Sequence, residues 1–209
     1  MPYRSVPLST MERIPTYLRV IDALTSHGIS HVPSTVLAER AGVSSAQFRK
    51  DVSLAGVTGG VRGLGYELNG LRTQLRDVLG SASRVRFVIV GAGNLGRALV
   101  ASSSFGRGGL DLVGIYDIDQ DKVGTTIAGH QVRHDAELEA AISELDVSIA
   151  VVTTSEASAQ SVAETVVRGG VREILNFAPV VLQVPESVEV RAVDLGLELQ
   201  MLAFHARRN

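Results

Sequence analysis

The most specific chemistry in the chain is carried by six consecutive residues, Gly91, Ala92, Gly93, Asn94, Leu95 and Gly96. In a Gly-x-Gly-x-x-Gly run the first glycine permits a tight turn and the second lets backbone approach a pyrophosphate. The third lets a helix pack close on a strand. An acid follows at the distance such a loop requires. Asp117 lies 21 positions beyond Gly96. A carboxylate there holds the hydroxyls of an adenosine ribose and repels the extra phosphate of NADP. Asp119 joins it, and no Arg follows directly, so the pattern favours NAD or NADH.

A second candidate set is polar and cationic. Ser44, Ser45, Gln47, Arg49 and Lys50 cluster in one short stretch, and Arg62 and Gly63 sit in a glycine-rich one. Gln can pair with adenine and Arg with guanine, while Lys suits phosphate. An Arg at a loop tip can enter a minor groove, where its charge meets enhanced negative potential.

These residues need elements to hold them. Residues 84–90 form a short apolar run rich in β-branched types, and residues 97–101 read as helix. The glycines therefore lie between strand and helix, the context that gives the motif its meaning. Residues 112–116 read as a second strand ending at Asp117. Beyond it, strands over 147–152, 173–176 and 188–193 alternate with helices over 136–145 and 157–168, as a doubly wound fold requires. Asp135 is the expected cap of the first of those helices. Thr153, Thr154, Asn176 and Phe177 fall at the carboxyl ends of strands, where ligands of such sheets bind. They are candidates for the nicotinamide side, although ordinary strand-end capping also accounts for the two threonines.

The N-terminal part reads differently. Residues 1–12 look like a loose leader, and Ile14, Tyr17, Leu18, Ile21 and Leu24 then recur at helical spacing. Arg13, at the start of that helix, reads as a solvated surface cation. A short helix over 34–41 stops at Gly42, and Ser44 and Gln47 stand at capping-box spacing before a third helix. Helix, glycine turn and capped helix make a helix-turn-helix, for which a plain helical hairpin is the alternative. Residues 57–68 read as strand, glycine-rich tip and strand, which turns the pair into a winged helix. The small-residue run after residue 80 is the best domain boundary. The expected organisation is a DNA-binding domain over 1–80, a nucleotide domain over 81–193, and a final helical segment over 194–209.

Composition narrows the classes. The 209 residues contain no Cys, which excludes a disulfide framework and thiolate chemistry. His130 and His134 lack a third ligand at sensible spacing, so no metal site is expected. There is no signal peptide and no long apolar run, so the expectation is a soluble cytoplasmic protein without a membrane partner. Residues 1–80 carry nine Lys/Arg against six Asp/Glu, whereas residues 81–209 carry eleven against sixteen. A basic front on an acidic body points modestly to a polyanion partner.

Four stretches together resemble the redox-sensing transcriptional repressor family Rex. They are Ser45-Ala46-Gln47-Phe48-Arg49-Lys50-Asp51, Arg62-Gly63-Leu64-Gly65-Tyr66, Gly93-Asn94-Leu95-Gly96 and Ile174-Leu175-Asn176-Phe177-Ala178-Pro179. The resemblance runs from about residue 13 to about residue 204. It implies an α/β protein with an N-terminal winged helix-turn-helix, a Rossmann-like doubly wound domain and a C-terminal helix swapped between subunits. It further implies a homodimer that binds double-stranded palindromic operator DNA and releases it on binding NADH, with NAD competing. Arg13 would then form a switchable ion pair with the partner's Asp194.

The chain departs from the family pattern in places. Ser102 stands where the family carries a Tyr, the stretch over 57–61 is one residue longer, and Ser155 replaces a common Pro. A Rex-like DNA-binding dimer with a lost or altered NADH response is therefore the alternative. A NAD-dependent oxidoreductase is a weaker one, since no His–acid pair stands near the nicotinamide side and only one helix follows residue 193. A CoA-binding module is another, against which Asp117 argues.

Overall fold

Ile14, Tyr17, Ile21 and Leu24 recur at helical spacing and are all buried, which seats α2 (Ile14–Ser26) in the core of the N-terminal part. Pro15 falls in the first turn, where its missing N–H costs nothing. In this computed structural model the chain divides into two units, residues 1–83 and 84–209. The structure describes residues 6–61, 63–80, 84–102 and 109–207.

The first unit also holds α1 (Leu8–Met11), β1 (His31–Val32), α3 (Ser34–Arg40), α4 (Ser45–Leu54), β2 (Gly60–Val61), β3 (Gly65–Glu67) and α5 (Leu68–Val78). Gly42, at φ +71°, turns the chain out of α3, and the Ser44 side chain accepts the Gln47 N–H at 3.1 Å to start α4. A small antiparallel sheet in the order β1-β3-β2 joins a strand before the helix pair to two strands after it. The β-hairpin is present, with its strands confined to residues 60–61 and 65–67. The third strand, β1, carries no sequence signal of its own. A Cβ at Gly65 would collide with the Val32 carbonyl, so only glycine lets β1 lie there. Phe48 is the hub of the core, edge-on to Tyr17 and Tyr66 with ring centroids 5.0 and 5.7 Å away.

Two expectations for this unit are corrected. The presumed leader contains α1, whose Thr10 is buried and donates to Asp51 at 2.9 Å. Arg13 is not a solvated cation. Its Nε and Nη2 each donate to Asp51 at 2.7 Å. Asp51 also accepts the Tyr17 hydroxyl at 2.6 Å and the Gln47 amide at 2.9 Å. Burial pushes the Asp51 carboxyl up, but these four donors outweigh it and hold the group well below the usual carboxylate range. The Tyr17 phenol, buried beside that carboxylate, is pushed up to about 12.

The second unit is built on a seven-stranded sheet in the order β10-β9-β8-β4-β5-β7-β6. The strands are β4 (Val85–Val90), β5 (Leu110–Asp117), β6 (Thr126–Ile127), β7 (His130–His134), β8 (Ile149–Val152), β9 (Glu173–Asn176) and β10 (Glu189–Ala192). All pair in parallel except β6, which is antiparallel to β7. Between them run α6 (Asn94–Ala101), a 3-10 turn (Asp135–Glu137) leading into α7 (Leu138–Glu144), and α8 (Glu156–Arg168). The direction of winding reverses between β4 and β8, and a ligand crevice is expected at that switch. Successive β4 residues serve opposite faces: Val88 and Val90 join one core cluster, Phe87 and Ile89 the other. The cap of the 3-10 turn is His134, whose Nδ1 accepts the Ala136 N–H at 3.1 Å, and not Asp135. The last helix, α9 (Leu195–Ala206), is capped by Asp194 and has no buried residue.

The Asp51 bonds give the first unit an acid sensitivity with a definite sign. Above about pH 4, the range of an unfolded Asp, the carboxylate is charged in both states and its bonds count in full. As pH falls through that range toward the lower folded value, the unfolded chain takes up the proton first and stability is lost. Thermal melts followed by circular dichroism between pH 7 and pH 2 should therefore fall more steeply for the wild type than for Asp51→Asn.

Candidate nucleotide cleft and nucleic-acid interface

The glycine loop is held from both neighbouring strands. Gly91 leaves β4 at φ +107°, and a Cβ there would lie 2.7 Å from the Thr153 backbone at the end of β8. A Cβ at Gly96 would collide with the Gly91 carbonyl and approach the Thr153 hydroxyl to 3.0 Å. Thr153 in turn donates to the Gly91 carbonyl at 2.7 Å, with the Val90 carbonyl 3.1 Å away. Gly93 differs: a Cβ there meets nothing within 4 Å, and the residue caps α6 without a side-chain bond. The chain is therefore open at Gly93, where the positive end of α6 favours phosphate oxygens.

From the other side, Asp117 grips the loop. Its Oδ2 accepts the Ala92 N–H at 2.7 Å and its Oδ1 the Asp119 N–H at 2.9 Å. Burial pushes this carboxyl up, but the two backbone N–H groups and Lys122 outweigh it and hold it below its ordinary value. Lys122 is the residue that sequence reading missed. Its Nζ lies 3.2 Å from Asp117 and 3.3 Å from Asp119, so a cation does stand beside the two acids. A Lys five positions after the acid was the available signal.

These groups surround a cleft of about 390 Å³ at the β4–β8 switch. Gly91, Gly93, Asp117, Asp119, Thr153 and Thr154 all line it. Among the described residues, the buried Thr154 hydroxyl has no hydrogen-bond partner. A buried orphan of this kind at a cleft wall fits a polar ligand. Ala92 is buried behind the loop, and Asn94 and Leu95 are exposed on the first turn of α6. Asn176 and Phe177 do not line the cleft. The Asn176 amide donates to the Ala178 and Val180 carbonyls and its oxygen accepts the Ala178 N–H, so it staples the loop after β9. Phe177 is half-buried and packs against one of the core clusters.

In the first unit, Arg49 and Lys50 are exposed on α4, opposite the buried Phe48, Asp51 and Val52. Ser44 is exposed and Ser45 half-buried. Gln47 is half-buried with its amide on Asp51, which removes that donor from the outer surface. Arg49 lines a groove of about 360 Å³ with Ser34 at the start of α3 and with Gly60, Val61 and Gly63 of the hairpin. Arg62 lies outside the described residues. Ser102 ends α6 in extended backbone, and Asp194 accepts the Gly196 and Leu197 N–H groups at 2.8 and 3.0 Å.

Comparison with known proteins places both units. A family model for the N-terminus of DNA-binding proteins matches residues 5–53, and a model described as a CoA binding domain matches residues 83–180. The redox-sensing transcriptional repressor Rex of Streptomyces griseus is 45% identical over 205 residues, covering 98% of this chain and 81% of its own length. The chain belongs to the Rex family of redox-sensing transcriptional repressors.

Solved Rex structures agree. RSP, a Rex-family repressor, in complex with beta-NAD+ and operator DNA is 30% identical, with a TM-score of 0.87 over 97% of this chain and 93% of that one. RSP in complex with beta-NADH is 29% identical, with a TM-score of 0.84 over 98% and 95%. The Rex relatives are repressors, which displaces the oxidoreductase reading, and the CoA model covers only the Rossmann-type part of a Rex chain. Among the described residues there is no group of three metal-ligating side chains, and no helix is long and apolar enough to cross a membrane.

Two glycines of this Rex loop separate packing from ligand approach. Gly96→Ala forces a methyl against backbone and should cost on the order of 1–3 kcal/mol, read as an earlier melting step for the second unit in calorimetry. Gly93→Ala, with open space around it and only a cap preference to lose, should move that step less.

Proposed function

We propose that the chain is a homodimeric DNA-binding repressor that reads the NADH/NAD balance, with the nucleotide in the β4–β8 cleft and operator DNA on α4 and the hairpin. The observation that carries this reading is the pairing of Asp117 with the glycine loop beside the open first turn of α6. It supplies an anion cradle for pyrophosphate and a carboxylate for a ribose diol in one place. RSP has been solved with beta-NADH, and with beta-NAD+ and operator DNA, and the same ligands suit this chain. Gly91 to Gly96 with Asp117 and Asp119 would hold the dinucleotide. Arg49, Lys50, Ser44, Ser45, Arg62 and Gly63 would meet the duplex. A protein that acts on operator DNA in a bacterial cell works in the cytoplasm.

The C-terminal helix supports the dimer. Leu195, Leu199 and Leu202 fall on one face of α9 and Leu197, Met201 and Phe204 on another, each at least 51% exposed. A helix apolar on two faces suits a slot between two surfaces, as a segment swapped into a partner chain would have. Arg13 would then meet the partner's Asp194. Its side chain, although bound to Asp51, stays 31% exposed and so within reach of a second carboxylate. The response itself is linkage: the chain lets go of DNA to the extent that NADH binds the released form better than the DNA-bound form.

A second reading is favoured by Ser102. Its hydroxyl is several ångströms shorter in reach than the phenol of the family, so a dimer with a weakened NADH response has a physical cause.

The deciding experiment is operator binding by fluorescence anisotropy at fixed salt, titrated with NADH and separately with NAD. Release by NADH alone supports the redox repressor. Tight binding that ignores both nucleotides supports the second reading, and absence of sequence-specific binding overturns both. In the same assay Arg49→Ala should cost about 1–3 kcal/mol and relax specificity at one base pair. Lys50→Ala should weaken all duplexes alike and lower the salt slope by about 1.

A further inference from the structure

One carboxylate joins three helices of the first unit. Asp51 lies on the inner face of α4 and is 1% exposed. Thr10 reaches it from α1, Arg13 from the cap of α2, Tyr17 from α2 itself, and Gln47 from one turn earlier in α4. The other inward residues of α4, Phe48 and Val52, are apolar. Apolar contact is non-directional and leaves the rotation of a helix loosely specified. Charge-assisted hydrogen bonds are short and directional. Arg49 and Lys50 stand exposed on the opposite face of α4, so the rotation that Asp51 fixes also fixes where they point.

We propose that Asp51 is the positioning residue for the reading helix: it sets the rotation of α4 through Thr10, Arg13 and Tyr17, and sequence discrimination depends on it. The proposal rests on the reading of α4 as the DNA-contacting helix. Contacts to base edges must be held to within about 0.5 Å, whereas attraction to phosphates tolerates a loose pose. Loss of the hub should therefore reduce discrimination while leaving general DNA affinity in place. A purely structural role would reduce both together.

The test uses the full chain and a duplex that the wild type selects from a randomised pool, compared with a scrambled duplex of the same length. In Asp51→Asn the ratio of the two affinities should fall by about tenfold or more, as expected for the loss of a charged hydrogen-bond centre. Affinity for the scrambled duplex and the salt slope should stay at wild-type values. Tyr17→Phe removes one donor and keeps the ring against Phe48, and Thr10→Ala removes another. Each should give a smaller fall in the same direction with unaltered far-ultraviolet circular dichroism. These two variants carry the test alone if Asp51→Asn does not fold. An unaltered ratio overturns the proposal, as does a parallel loss of both affinities. A wild type that selects no duplex overturns the DNA-binding reading and this proposal with it.

Discussion

A carboxylate stays charged in a protein interior only where donors replace the water it has lost. Both units are arranged around that constraint. In the second unit the donors to Asp117 include the Ala92 N–H, so satisfying the carboxylate and shaping the glycine loop are one act. Thr153 holds the same loop from the opposite strand through the Gly91 carbonyl. The loop is thereby preorganised between β5 and β8, and little ordering is left for a ligand to impose. In the first unit Asp51 does the corresponding work for α4.

The two carboxylates differ in what surrounds them. Asp117 has one oxygen shared with a half-exposed Lys122, which also contacts Asp119 at the cleft mouth. Two of its partners are backbone N–H groups, of Ala92 and Asp119, and the third is the ammonium of a long side chain. The four partners of Asp51 come from packed helices.

Much of this was legible in the sequence where a residue type has one physical use at its position. The strand, glycine and helix order, the Ser44 cap, the Gly42 stop and the spacing to Asp117 each follow from local rules, and each stands in the structure. Illegible were the contacts that depend on tertiary partners. Arg13 and Asp51 are 38 positions apart, and no local pattern joins them. Gln47 fits both a reading role and an inward one at the level of sequence, and only the position of Asp51 separates the two. Asn176 sits at a strand end as a ligand residue would, yet its amide and oxygen are used up by the loop that follows. Strand β1 is two residues long and exists because Gly65 leaves room for it.

The exposed helix α9 has twelve residues. A helix of that length is marginal in water without tertiary support. Whatever covers its two apolar faces also supplies the free energy that keeps it helical. Where the cover is a second copy of the chain, as proposed, the order of this segment obeys mass action. At high protein concentration the helix is part of the fold. On dilution it would become a tail, and the folded length of the chain would then be a property of the assembly.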